Sequence, residues 1–314
     1  MTLPRQVVPG RDYMITRRCS ERRFFLRPDD ETNNAFIYCL GLAAIRAKVD
    51  ILFVVAMSNH YHAGVHDPDG NLPAFCEYFH ALIARCLNTH LGRFEGFWSS
   101  AATSVVRLIE PNDVLEKAVY AYSNPAAADL VDAIEEWPGV SSLEATLTTG
   151  RLTATRPKQF FRSNGEMPET VSVPIVTPEA FRARGKDEWY QTIRERVRLV
   201  EAEQRERRRT EGKSVLGRRA ILSQDPFACP QSAVRRFGMS PTIAAKNRSA
   251  RADALKRSKA FVDRYRAALM AWINGVANAV FPYGTYWMRR FARVACETAE
   301  AAEVALAPAA GLTR

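Results

Sequence analysis

Val49-Asp50-Ile51-Leu52-Phe53-Val54-Val55-Ala56-Met57-Ser58-Asn59-His60-Tyr61-His62-Ala63-Gly64-Val65-His66 decides how this chain reads. Val49 to Met57 is apolar apart from Asp50, the pattern of a strand buried on both faces, and is expected at the centre of a sheet. Ser58-Asn59 makes a tight bend, and Tyr61 to His66 returns as the antiparallel partner. Side chains alternate across a strand, so His60 and His62 project to one side and can share one metal ion. The chain has five histidines, and two of them sit in this one motif. A pair of structural histidines is the commoner explanation of such spacing, so the dyad needs support from elsewhere. Imidazole suits Mn²⁺ and other transition metals better than Mg²⁺, so the dyad alone leaves the metal open.

Working outward, Asp12 to Cys19 reads as a strand and Asp30 to Lys48 as a helix capped by Asp29 or Asp30. The turn-rich Asp67-Pro68-Asp69-Gly70-Asn71 leads into a helix from Leu72 to His90. Phe97 to Leu108 is a strand interrupted at Ser99 to Ala102. Pro111 then opens a helix that runs to about Ser123, where Asn124-Pro125 stops it. The order β-α-β-β-α-β plus a helix predicts an α+β domain over residues 1–150, a ferredoxin-like antiparallel sheet with helices on one face. Gly, Pro, Ser and Thr then become frequent, and residues 151–180 read as a linker. Residues 181–314 read as a mainly helical basic region, with helices expected over Trp189 to Arg209, Ser232 to Phe237, Ala250 to Val280 and Tyr286 to Ala302.

The helix before Pro125 sharpens the case for chemistry. Tyr120 and Asn124 are four residues apart and share a helical face, whereas Tyr122 is rotated about 200° from Tyr120. If that face lies on the sheet, a phenol and a carboxamide both approach the dyad. Asn124 would add an oxygen ligand, making a mixed N/O site that accepts Mg²⁺ or Mn²⁺.

The net charge of +10 is unevenly spread. Residues 1–150 hold 13 Lys and Arg against 18 Asp and Glu, a net of −5, and residues 151–314 hold 31 against 16, a net of +15. The asymmetry points to a polyanionic partner held by the second half. Six scattered cysteines with no C-x-x-C pair read as reduced thiols. No signal sequence or membrane span is evident, so a cytoplasmic, nucleoid-associated location is expected.

The run Met57 to His62, Gly70-Asn71-Leu72, Asn88 to Gly92, Phe97-Trp98 and Tyr120-Ala121-Tyr122-Ser123-Asn124-Pro125 together resemble the REP-associated tyrosine transposases. These belong to the single-tyrosine HUH endonuclease superfamily, whose core motif is His-hydrophobic-His. The resemblance covers roughly residues 5–145. It implies that His60, His62 and Asn124 bind the metal and that Tyr120 is the nucleophile. The implied activity is cutting and rejoining of single-stranded or hairpin DNA through a 5′-phosphotyrosine, with Mg²⁺ or Mn²⁺ as cofactor. The family follows Asn-Pro with a basic residue and then Ala-Gly. Here the run is Ala126-Ala127-Ala128-Asp129-Leu130, so Asp129 stands at the Gly position and an arginine is missing.

Candidate DNA contacts are Arg17 and Arg18 near the end of the first strand, Arg207, Arg208, Arg209, Arg218 and Arg219 in one basic cluster, and Lys256 and Arg257 in another. Phe281 to Arg290 interleaves aromatics with arginines and could stack unpaired bases. Arg235 to Ala245 faintly resembles a helix-turn-helix turn. A catalytically silent DNA-binding descendant is the alternative reading, supported only by Asp129 and the missing arginine. A small-molecule metal hydrolase explains neither the tyrosine helix nor the charge asymmetry. The sequence leaves open monomer or homodimer.

Overall fold

Alternating apolar residues build four antiparallel strands: β1 (Arg11–Arg18), β2 (Asp50–Met57), β3 (His60–Asp67) and β4 (Ser104–Leu108). Their spatial order is β2-β3-β1-β4, which is the ferredoxin-like arrangement in an α+β domain. The computed structural model describes residues 4–183, 185–232 and 241–301.

The first connection is α1 (Asp30–Ala47), started by the Asp29 carboxylate accepting from the Thr32 N–H at 2.7 Å and ended by Lys48 at φ 55°. The second is α2 (Leu72–His90). The buried Asp67 carboxylate accepts from the N–H groups of Asn71 (2.7 Å) and Leu72 (3.0 Å), anchoring the loop that feeds α2. Both helices cover the sheet face that carries Tyr13, Ile15, Val54, Ala63 and Val65. α3 (Pro111–Ala127) covers the other face, over Met14, Val55, Met57, Val106 and Leu108. The expected single helical layer therefore describes α1 and α2, and α3 takes the opposite side.

β2 sits at an edge of the sheet and not at its centre. It is buried all the same, because passing chain covers its outer side. Ser141 and Ile175 make isolated bridges to it, and the Ala56 N–H donates to Val140 O at 2.9 Å.

The segment read as a linker is structured. After the short α4 (Leu143–Leu147), β5 (Arg151–Thr155) and β6 (Thr170–Pro174) form an antiparallel ribbon whose Ala154, Val171 and Val173 join the core beside α1. Its turn-rich composition belongs to the connecting loop, where the Arg156 guanidinium gathers the carbonyls of Ser163, Gly165 and Met167.

The basic half also contributes to the core. Beyond α5 (Glu179–Arg182), α6 (Lys186–Glu211) inserts Trp189, Tyr190, Ile193 and Val197 beside α3. After α7 (Arg218–Leu222), β7 (Ile243–Ala244) adds a fifth strand parallel to β4. α8 (Arg248–Ile273) ends before the expected Val280, at Asn274-Gly275. Of the helix expected over Tyr286 to Ala302, the described part is not one continuous helix. One π-helical turn, Met288–Ala292, ends where Arg293 enters the left-handed region at φ 52°, and β9 (Ala295–Cys296) then pairs with β8 (Val280–Phe281). All but the first residue of the expected helix Ser232 to Phe237, and most of the Arg235 to Ala245 stretch, lie outside the described residues. Among the described residues no helix is long and apolar enough to cross a membrane.

Gly41 reports on the ribbon. A Cβ there would meet the side chains of Val171 and Val173. Alanine is the better helix former by about 1 kcal/mol, yet overpacking against these stiff side chains costs about 1–3 kcal/mol. Gly41→Ala is expected to lower the urea-unfolding free energy, and Gly41→Ala combined with Val171→Ala to recover part of the loss.

Candidate active site

The β1–β3 register places Thr16 opposite His62 and Arg18 opposite His60. Directly paired residues share a face, so these four side chains gather on the α3 side at the hairpin end of the sheet. The two imidazole rings lie 4.9 Å apart, nearly perpendicular, and His62 is 4% exposed. His60 Nδ1 meets Asn59 Oδ1 at 2.7 Å, and His62 Nδ1 meets the Thr16 hydroxyl at 2.8 Å. The Asn59 oxygen on His60 Nδ1 places the proton there and leaves Nε2 as the acceptor nitrogen, the arrangement metal-binding histidines adopt. Burial, reinforced by Arg18, pushes His60 down to about 4. Burial does the same to His62, with positive charge on His60, Arg18 and Lys117 adding to it. Both rings are therefore neutral at pH 7, the form that ligates metals.

α3 delivers the other two candidates to this point. The Tyr120 and His62 ring centroids are 5.4 Å apart, edge to face, and Asn124 Nδ2 lies 3.0 Å from His62 Nε2. Turning the carboxamide over presents its oxygen to the same place. Tyr120 is 53% exposed, with the Lys117 ammonium 5.6 Å from its ring centre. Tyr122 faces the interior, bonded to the Ser142 hydroxyl at 2.7 Å, where burial raises its pKa far above the ordinary phenol range. Exposure thus separates a tyrosine that can meet a substrate from one that cannot.

The donor set fits a divalent ion. Among the described residues no three His, Cys, Asp or Glu side chains converge on one point. A third protein ligand beside His60 and His62 would be the Asn124 carboxamide.

The helix does not stop at Asn124-Pro125 but runs to Ala127. A proline in the last turn removes a single backbone donor, and Ala128 N still reaches Asn124 O at 2.9 Å and Leu130 N reaches Pro125 O at 3.0 Å. Asp129 then takes φ 56°, the left-handed cap conformation in which glycine is preferred. Its carboxylate is matched by α6: Arg207 pairs with it, and Arg208 Nη1 lies 3.2 Å from it. Arg208 is 3% exposed and also donates to Ala126 O (2.9 Å) and Asp132 (2.6 Å). The far end of α3 is held by the chain before α8, where the Lys246 N–H donates to Asp113 at 2.9 Å and its ammonium to Glu116 at 2.8 Å.

The basic residues singled out from sequence divide accordingly. Arg207 and Arg208 face α3, and Arg209 pairs with Glu206. Arg17 lies on the opposite sheet face, bonded to His80 Nδ1 at 2.7 Å and packed on Trp98. Arg18, Arg218, Arg219, Lys256 and Arg257 are exposed and form no ion pair among the described residues. Arg18 stands at the dyad. Arg218 and Arg219 lie on a stretch strung from Asp129 O, which accepts from Leu216 N at 2.8 Å, to Ser58, whose hydroxyl donates to Gln224 at 3.1 Å. Sequence reasoning missed Lys117 and Thr16. Lys117 lies three residues before Tyr120, which helical spacing could have flagged.

No protein-family model and no curated protein matches this chain. Among solved structures the chain is similar to a REP-associated tyrosine transposase bound to a REP hairpin, at 16% identity over 48% of this chain and 87% of that one, TM-score 0.38. It is also similar to a candidate transposase from Deinococcus radiodurans R1, at 19% identity over 34% of this chain and 85% of that one, TM-score 0.28.

Because folding depresses both histidines below their ordinary value near 6.5, the unfolded chain binds protons first as pH falls. The contribution of His60 to stability is complete above about pH 6.5 and is lost as pH drops through about 4, and His62 adds a loss of the same sign. In EDTA the unfolding temperature is expected to fall across that window, and the NMR titration of His60 to have its midpoint near 4. A midpoint near 6.5 would contradict the enclosed dyad.

Proposed function

We propose that this chain is a metal-dependent, transposase-like nuclease and strand transferase acting on single-stranded DNA, at or beside a hairpin. The observation that carries this reading is the meeting, within one chain, of an exposed tyrosine and a helical carboxamide at a neutral histidine pair, His62 buried and His60 half-buried. A structural histidine pair does not require an exposed phenol over it.

His60, His62 and Asn124 would hold Mg²⁺ or Mn²⁺. When bound, such an ion polarises the scissile phosphate and offsets the charge that develops during displacement. Thr16 and Asn59 orient the two imidazoles. Arg18, exposed on the same face, is placed to receive a backbone phosphate. Tyr120 Oη gives up its proton to water and attacks phosphorus, the bond from phosphorus to the 3′ oxygen breaks, and the departing oxygen takes up a proton from water to become a 3′-hydroxyl. The 5′-phosphotyrosine retains the bond energy needed for rejoining when another 3′-hydroxyl attacks it. Lys117 keeps positive charge beside the reacting tyrosine.

Arg18, Arg218, Arg219, Lys256 and Arg257 supply phosphate neutralisation along the flanking DNA. The silent-descendant alternative loses its sequence argument at Asp129, because that residue adopts the required backbone conformation and is paired by arginines from α6.

The test is covalent capture. Wild-type protein with Mn²⁺ and labelled hairpin oligonucleotides is expected to give a denaturation-resistant adduct, absent with EDTA and in Tyr120→Phe. Tight binding of DNA without an adduct across a hairpin library would overturn the nuclease reading.

A further inference from the structure

The second half carries a feature that the dyad chemistry does not use. In the π-helical turn after β8, Trp287 and Phe291 stack with ring centroids 5.5 Å apart and planes within 8°. Both are exposed, at 44% and 68%. Rings of this size in an exposed stacked pair leave a broad aromatic face in water, where burying it against another ring is favourable. The Arg290 guanidinium lies against the rings of Tyr286 and Phe291, at 5.9 and 5.6 Å, and donates to the Tyr286 hydroxyl at 3.0 Å.

Tyr286 and Arg290 also form one wall of a groove of about 290 Å³. Ala43, Ala47 and Ala74 line it as well, with Arg46 and Tyr78, the Arg46 guanidinium lying 4.6 Å from the Tyr78 ring centre. Arg46, Arg289 and Arg290 are exposed, and none pairs with a carboxylate among the described residues. The groove adjoins the ends of α1 and the start of α2, at the opposite end of the sheet from His60.

We propose that this turn and groove form a second nucleic-acid site, which seats unpaired nucleotides of single-stranded DNA. Bases stack on the Trp287–Phe291 face, and the phosphates between them lie on Arg46 and Arg290. Aromatic faces accept any base, and unpaired arginines supply the charge complement, so the site grips single strands without reading sequence. A duplex keeps its bases stacked on each other and cannot use the aromatic face. The inference uses the DNA-directed reading of the chain but not its cleavage chemistry.

The test uses the full chain in EDTA, with a fluorescein-labelled thymidine 12-mer and a blunt duplex of equal length. Wild-type protein is expected to show tryptophan quenching by the 12-mer. A Trp287→Ala/Phe291→Ala variant should lose the quenching and bind the 12-mer about tenfold more weakly, with its duplex affinity changed far less. Arg46→Ala/Arg290→Ala should lower the salt slope of 12-mer binding by about one to two. Because all four side chains sit on the surface, unchanged unfolding temperatures serve as the folding control. Unchanged 12-mer affinity in both variants, or equal losses for 12-mer and duplex, would overturn the proposal. Equal or tighter binding of a uridine 12-mer would overturn its assignment to DNA. Failure of covalent capture at Tyr120 leaves these readouts intact, so the two ideas fall separately.

Discussion

A buried guanidinium holds the end of the helix that carries Tyr120 and Asn124. Arg208, on α6, donates to the last carbonyls of α3 through Ala126 and to the carboxylates of Asp129 and Asp132 just beyond. A proline in the final turn leaves that end one backbone bond short, and an L-residue in the left-handed cap position adds strain. The planar fork of arginine can satisfy several acceptors at once, which a lysine cannot. Lys246 and Asn247 fix the other end through Asp113, Glu116 and Glu110, and the apolar side of α6 covers the length between. The second half of the chain is therefore part of the candidate site, although it supplies neither the histidines nor the tyrosine.

This changes what the positive charge means. On α6, the buried Arg208 stabilises the fold, Arg207 pairs with Asp129 just past α3, Arg196 with Glu116 on α3, and Arg209 with Glu206 on its own helix. Exposed cations that form no ion pair among the described residues include Arg18 at the dyad, Arg218 and Arg219 on α7, Lys256 and Arg257 on α8, and Arg46 and Arg290 at the far groove. Under the proposed function these are the side chains that would neutralise DNA phosphates, and counterion release would make such contacts strongly dependent on salt.

Much of the first half was legible. Alternation and the Ser58-Asn59 bend identify the hairpin, and a four-residue spacing puts Tyr120 and Asn124 on one face; the structure brings both to His62. What escaped was long-range. Nothing local tells β2 that its outer edge is covered by chain near Ser141 and Ile175. Nothing in a Gly- and Pro-rich stretch announces that Val171 and Val173 will pack on α1. The basic run around Arg207 reads as a set of DNA contacts until α3 is placed beside it. One signal was available: Trp189, Tyr190, Ile193 and Val197 recur at helical spacing, a stripe that must be buried against something.

The measurement that bears most directly on this account is amide hydrogen exchange on wild-type and Arg208→Ala protein. Removing one partner of a buried charge group costs about 3–5 kcal/mol, and the partial exposure of both carboxylates reduces this to about 2 kcal/mol. Protection of the amides from Tyr120 to Ala127 should then fall roughly thirtyfold, while β2 and β3 keep theirs. Unchanged protection along the end of α3, or a loss spread evenly over the whole sheet, would show that Arg208 does not hold the tyrosine helix in place.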